Sequence, residues 1–251
     1  MTLPVLLSIP HGGTRTPPEL QDILRISNQD VFEDGDAYTV PIYDIGDAAA
    51  VVVKAEVART FVDPNRSLQE MPPASPDGLV KSITCRNMPI YTVQPDEAMR
   101  RDLIAKYYMP YHRAIQRAVR GDLQLCLDCH SMAEVAPAIS PDCGSRRPLF
   151  CLSNRRGQTS SNESMTLLAS CIAESYGIPR TLVQLNDPFL GGHITRTYGN
   201  NPLPWIQVEM NRSMYISGEW FDHDTMECQQ SRLRDLRLMF ERALRAYFER
   251  I

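Results

Sequence analysis

At 251 residues, with 43% hydrophobic and 22% charged residues and a formal net charge of -4, the chain has the make-up of one globular α/β domain. It has no basic stripe or aromatic–basic interleaving of the kind that binds nucleic acid. Nor does any apolar run approach the ~18 residues that a membrane span needs. MTLPVLLSIPHGG lacks the basic flank and small-residue cleavage site of a signal peptide. The seven cysteines show no small-scaffold spacing and read as reduced thiols, so a cytoplasmic protein is expected.

In chain order, Leu3–Ile9 reads as a core strand leading into His11-Gly12-Gly13. Pro17-Pro18 suits the first turn of a helix near Glu19–Arg25. An acidic patch, Glu33-Asp34-Gly35-Asp36, precedes a segment with helical apolar spacing at Tyr38, Ile42 and Ile45. Ala48–Val53 is a β-branched strand, and the segment from Val57 to Val62 ends in Asp63-Pro64-Asn65-Arg66. Leu79–Val93 has the pattern of a hairpin around Arg86-Asn87. Asp96 is an N-cap for a long helix through Val119, kinked at Pro110.

Leu123–Leu127 alternates as a central strand and then turns polar at once: Asp128, Cys129, His130, Ser131. Ala133–Pro148 is a Pro/Ser/Gly-rich excursion, and Phe150–Leu152 a short strand. Asn162–Tyr176 is a helix closed by Gly177. Leu182–Leu185 and Trp205–Glu209 are further strands, and Asp222–Glu249 a long Arg-rich helix. With no repeats and no linker, residues 1–251 read as a single domain with helices on both faces of a sheet.

Two histidines, His11 and His130, thus each follow a core strand, where open α/β sheets place ligands. With a carboxylate they would form a two-His, one-carboxylate centre with an open position, the pattern of catalytic zinc. Asp36 is the first choice for that carboxylate, with Asp34 and Glu33 as alternatives. A lone histidine after a strand also serves as a hydrogen-bonded structural residue. The same ligand set serves non-haem iron oxygenases, but the strand–helix alternation argues against their all-β scaffold.

Cys126 and Cys129 spell CxxC, but residues three apart on a strand face opposite sides, so plain buried thiols are expected. Glu209 ends the strand WIQVEM and can relay a proton at a metal site; a salt bridge to Arg212 is the plainer role. Arg66, Arg86 and Arg212 lie in polar stretches that could line a cleft for an anionic substrate. Gly191-Gly192-His193 and the following TRTYG read as a polar loop able to close over it.

SIPHGG, ARTFVDPNR, DCHSM, DPFLGGHITRTYG and QVEMNRSMY, in this order, resemble the N-formylglutamate amidohydrolase family, related to zinc carboxypeptidases and aspartoacylase. The resemblance spans about Ser8 to Tyr215. It implies a zinc-carboxypeptidase-like three-layer α/β/α fold with a mixed central sheet and one Zn2+ per chain. It also implies hydrolysis of a small anionic N-acyl amino acid, N-formyl-L-glutamate to L-glutamate and formate, as in histidine degradation. On it, His11 and His130 match the metal histidines and Glu209 the catalytic glutamate. Arg59 matches the arginine that polarises the scissile carbonyl, and Asn65-Arg66 the pair that grips the substrate carboxylate. Arg212 or Arg86 would assist, while His193 and Tyr198 would close the pocket. The related enzymes place a Glu three residues after the first His; here that residue is Thr14, and Asp36 fits the vacated role. Alternatives are a related zinc deacylase or carboxypeptidase acting on another acyl group or peptide, and a non-catalytic binding protein.

Overall fold

A computed structural model describes residues 1–251. Its centre is a six-stranded sheet in the order β2-β1-β3-β6-β4-β5. The strands are β1 (Leu3–Ile9), β2 (Ala49–Lys54), β3 (Leu125–Met132), β4 (Phe150–Ser153), β5 (Val183–Leu185) and β6 (Trp205–Asn211). All pairings are parallel except β4–β6, so the sheet is mixed, as expected.

Every residue of β3 is buried, which is what a central parallel strand covered on both faces requires. Strand alternation then sorts the side chains. Leu125, Leu127 and Cys129 join Val5, Leu7, Ile206 and Val208 in the largest apolar cluster, under α2 (Thr39–Tyr43), α5 (Asn162–Tyr176) and α7 (Gln230–Phe248). Cys126 joins Leu6 and Trp205 on the other face, under α4 (Met109–Ala118) and α6 (His193–Tyr198). The two cysteines of CxxC therefore lie on opposite sides of the sheet. The second face carries a polar column as well: Ser8, Asp128, His130, Gln207 and Glu209, all buried.

The helices end where local chemistry says they should. α1 (Asn28–Asp34) opens on a Ser27–Asp30 capping box, and α3 (Glu97–Leu103) on Asp96, which accepts from the Met99 N–H. α5 stops at Gly177, whose φ of 63° is left-handed. Before Pro110 the helix widens into a π turn, Ile104–Tyr108, rather than a simple kink; proline cannot donate to the preceding turn, and the extra residue absorbs the mismatch.

Four further readings change. β3 continues through Asp128–Met132, so His130 is in the strand and not beyond it. His193–Tyr198 is the helix α6 and not a loop. The last helix begins only at Gln230, because Phe221-Asp222 (β7) and Glu227-Cys228 (β8) pair as a hairpin with Met226 at φ 59°. The Leu79–Val93 hairpin is reduced to one bridge, Ile83 with Pro89, around Asn87 at φ 63°. Between β2 and α3, residues 55–96 form turns around a second apolar cluster that includes Phe61, Val62, Leu79 and Ile90.

Candidate active site

β1, β3 and β6 run parallel, so their carboxyl ends share one edge, and β1 lies where the strand order reverses. His11 stands two residues past β1. His130 and Glu209 are register partners on β3 and β6. Because β4 runs back against β6, the 133–149 excursion stays at this same edge and walls the site. The result is a cavity of about 720 Å³ lined by His11, Asp36, Arg59, Asn65, Arg66, Arg86, His130, Glu209 and Arg212, among others.

Three buried groups converge within it. His11 Nδ1 lies 3.0 Å from His130 Nδ1, and Asp36 Oδ2 lies 3.3 Å and 3.1 Å from the two. His11, Asp36 and His130 together can hold a metal ion. The outer nitrogens are also engaged. His11 Nε2 is 2.7 Å from Asp63 Oδ1, and His130 Nε2 is 3.2 Å from Asp128 Oδ2 and from Asn65 Nδ2. A carboxylate behind a histidine is the usual support of a metal ligand. The donor set fits a divalent cation: two imidazole nitrogens and a carboxylate oxygen are gathered together, with the Asp63 carboxylate behind His11.

The electrostatics agree. Burial opposes ionisation of Asp36, yet His11 and His130 hold its carboxyl well below the usual range. Burial likewise opposes a charge on His130, but Asp128 and Asp36 raise it well above the ordinary histidine value. The pocket thus favours positive charge among its acids. Glu209 behaves in the opposite sense: burial, with Asp36 and Asp128 adding to it, pushes it up to about 7. Its Oε1 accepts from Gln207 Nε2 at 2.8 Å.

Of the three acidic candidates, only Asp36 reaches the histidines. Asp34 is buried against Lys81 Nζ at 2.8 and 2.9 Å and accepts from the Cys85 N–H. Glu33 pairs with Arg86. The two glycines after His11 make the approach possible; a Cβ on Gly13 would collide with the Val57 carbonyl.

The arginines divide. Arg59 is paired with Asp63 at 2.8 Å. Arg66 is held by Asp77, Nε to the carbonyl at 2.9 Å and Nη2 to Oδ2 at 2.7 Å. Arg212 is spent on protein groups: Ser131 Oγ at 3.0 Å, Glu33 O at 3.2 Å and Asp36 Oδ1 at 3.3 Å. The Arg212–Glu209 salt bridge is not formed.

His193 and Tyr198 do not line the cavity. The Gly192 N–H donates to Gln207 Oε1 and the Ile194 N–H to Asn65 Oδ1, both across the cavity wall, and α6 then runs behind Asn65. Its side chains at 193 and 198 face Tyr108 and His112 instead. Asp63, Asp128, Gln207 and Arg147 belong to the site but drew no role from the sequence. Asp128 had a usable signal: two residues before His130 on a strand, it must share its face.

A family model described as N-formylglutamate amidohydrolase matches residues 3–216. The N-formylglutamate deformylase of Pseudomonas putida is 27% identical over 226 residues, 85% of this chain and 82% of that one. The protein of the same name from Pseudomonas aeruginosa is 26% identical over 249 residues, 93% of this chain and 91% of that one. Among solved structures, N-formylglutamate amidohydrolase from Ralstonia eutropha superposes with a TM-score of 0.80 at 23% identity, covering 100% of this chain and 96% of that one. A gene product of Agrobacterium tumefaciens superposes with a TM-score of 0.69 at 17% identity, covering 98% and 90%. These two structures have the same fold.

Proposed function

Because the chain belongs to the N-formylglutamate amidohydrolase family, and so is a hydrolase acting on an amide, we propose that it converts N-formyl-L-glutamate to L-glutamate and formate with one bound zinc ion. The observation that carries this reading is the convergence of His11 Nδ1, His130 Nδ1 and Asp36 Oδ2 in a cavity that also contains the high-pKa carboxyl of Glu209. Relatives named for deformylation of N-formylglutamate supply the substrate. We read residues 1–251 as a single domain built on the one six-stranded sheet.

His11, Asp36 and His130 would hold the cation; two imidazoles and a carboxylate suit zinc, which would supply a Lewis acid for the amide carbonyl and for water. Glu209 would accept the proton of the attacking water and return it to the departing amine. Burial raises this carboxyl toward the range that a proton relay uses. Gln207 holds it in place from the neighbouring position on the same strand face. Arg59 would steady the charge that develops on the carbonyl oxygen. Asn65 and Arg66 would take the substrate carboxylate, with Arg86 or Arg212 beside them. His193 and Tyr198 would act from behind the wall and not as a lid.

The test is formate release from N-formyl-L-glutamate, before and after chelation and with zinc restored. Release that is lost on chelation and regained with zinc is expected. Zinc bound at one per chain without release would refute the substrate.

A second reading, a deacylase for larger acyl groups, is favoured by the cavity itself. Its volume falls in the range that elsewhere holds far larger ligands than N-formylglutamate. Its rim carries Val135, Ile139 and Leu190, 45%, 37% and 42% exposed. Assay of formyl-, acetyl- and hexanoyl-glutamate in parallel separates the two: the formyl compound should be turned over fastest.

A further inference from the structure

Pro64-Asn65-Arg66 carries two of the proposed substrate-binding side chains, yet it lies in neither helix nor strand. Its buried carbonyls need partners from elsewhere. They find them on one face of the helix behind. His112 Nε2 donates to Pro64 O at 3.0 Å, and the Tyr108 hydroxyl donates to Arg66 O at 3.0 Å. Tyr108 and His112 are four apart, so they stand one above the other, with ring centroids 4.2 Å apart.

A further tier sets the direction of both bonds. The Tyr198 hydroxyl donates to His112 Nδ1 at 2.8 Å, which leaves Nε2 as the N–H aimed at Pro64 O. His193 Nε2 is 3.3 Å from the Tyr108 oxygen and donates to it, since that hydroxyl's own proton goes to Arg66 O. On the cavity side, Asn65 is held by the Ile194 N–H at its Oδ1, 2.8 Å, and its own N–H donates to Asp63 Oδ1 at 2.8 Å. Burial pushes His112 down to about 4, so it remains a neutral donor near neutral pH.

We propose that Tyr108 and His112 are positioning residues of the substrate site: they clamp the Pro64 and Arg66 carbonyls and so fix where Asn65 and Arg66 meet the substrate carboxylate. Neither lines the cavity, so neither touches substrate. This gives His193 and Tyr198 a role different from the lid expected from the sequence. The inference rests on the reading of Asn65 and Arg66 as carboxylate-binding residues.

The experiment measures KM and kcat for N-formyl-L-glutamate, with zinc content, for Tyr108→Phe, His112→Ala, His112→Gln and Arg66→Ala in the zinc-loaded protein. Tyr108→Phe deletes one hydroxyl and keeps the packing. It should raise KM about 3- to 10-fold, the worth of one neutral hydrogen bond, with kcat within about twofold and zinc unchanged. His112→Ala should raise KM at least as far, and His112→Gln, which keeps an N–H donor, should recover part of it. A purely structural role lowers the active fraction, and with it apparent kcat, while KM holds; that outcome overturns the clamp. If Arg66→Ala raises KM but Tyr108→Phe does not, the clamp fails and the carboxylate site stands. If Arg66→Ala leaves KM unchanged, the carboxylate site itself fails, and the clamp with it.

Discussion

The Nδ1 atoms of His11 and His130 approach to 3.0 Å, with the Asp36 carboxylate within 3.3 Å of both. Such a gathering of acceptors calls for positive charge among them. A proton on His130 supplies some of it, and a divalent cation satisfies all three. We expect about one zinc per chain by elemental analysis of the zinc-loaded protein after dialysis, and its loss in His130→Ala and Asp36→Asn. Asp63→Asn, which removes the charge behind His11, should weaken zinc binding by about 10- to 100-fold. Full zinc retention by His130→Ala would remove the proposed centre.

Glu209 pairs in register with His130, but its titration is set by a different balance. Burial comes first, and Asp36 and Asp128 add to it. Glu209→Gln keeps the shape and the hydrogen-bonding capacity toward Gln207 while removing the proton relay. Turnover should fall by about 10²- to 10⁴-fold with zinc still bound. Near-normal kcat in this variant would assign the relay to another group.

The arginines should separate by what they already hold. Arg66→Ala should raise KM by about 10- to 100-fold, the range for a charge-assisted bond. Arg86, with a side chain 58% exposed and only Glu33 beside it, should matter little. Arg212 binds Asp36 Oδ1, so Arg212→Ala should loosen zinc more than it changes KM. Steady-state kinetics at saturating zinc, set beside zinc titrations of the same variants, read out all three. A KM effect confined to Arg212→Ala would transfer the carboxylate site to that residue.

Much of this arrangement could be read from the chain. Leu3–Ile9 and Asn162–Tyr176 match the predicted elements, because a strand buried on both faces and a helix closed by Gly177 declare themselves locally. His11 and His130 were legible because each comes just after a run of apolar strand residues, although His130 proves to lie inside its strand and not past it. The parallel order of β1, β3 and β6, which brings them together with Glu209, is a long-range property that no local pattern carries. The choice of Asp36 over Asp34 hinged on Lys81, forty-seven positions away from Asp34, which claims the latter. The reading of His193 and Tyr198 as a lid missed because glycines usually announce a loop. Here Gly192 is small for another reason: a Cβ would strike the Asn65 amide, and the close fit fastens α6 to the wall.

His112 also sets a pH limit on the fold. Its value lies near 4 in the folded chain against 6.5 when unperturbed, chiefly through burial. The unfolded chain therefore binds a proton that the folded chain refuses. The neutral form costs nothing above about 6.5; as pH falls from there toward 4, stability drops, by on the order of 3 kcal/mol at most. The depressed carboxyls of Asp34 and Asp77 work in the same direction but only below the ordinary aspartate value of about 3.9, so the histidine acts first. Thermal unfolding of the wild type and His112→Gln at pH 7.5 and 5, with chelator present so that zinc loss does not contribute, isolates the effect. The wild type should lose more of its Tm between the two pH values than the glutamine variant, which has no proton to take up. Parallel losses would show that His112 titrates as it does in the unfolded chain, and that it is not held in the buried bridge between Pro64 and Tyr198.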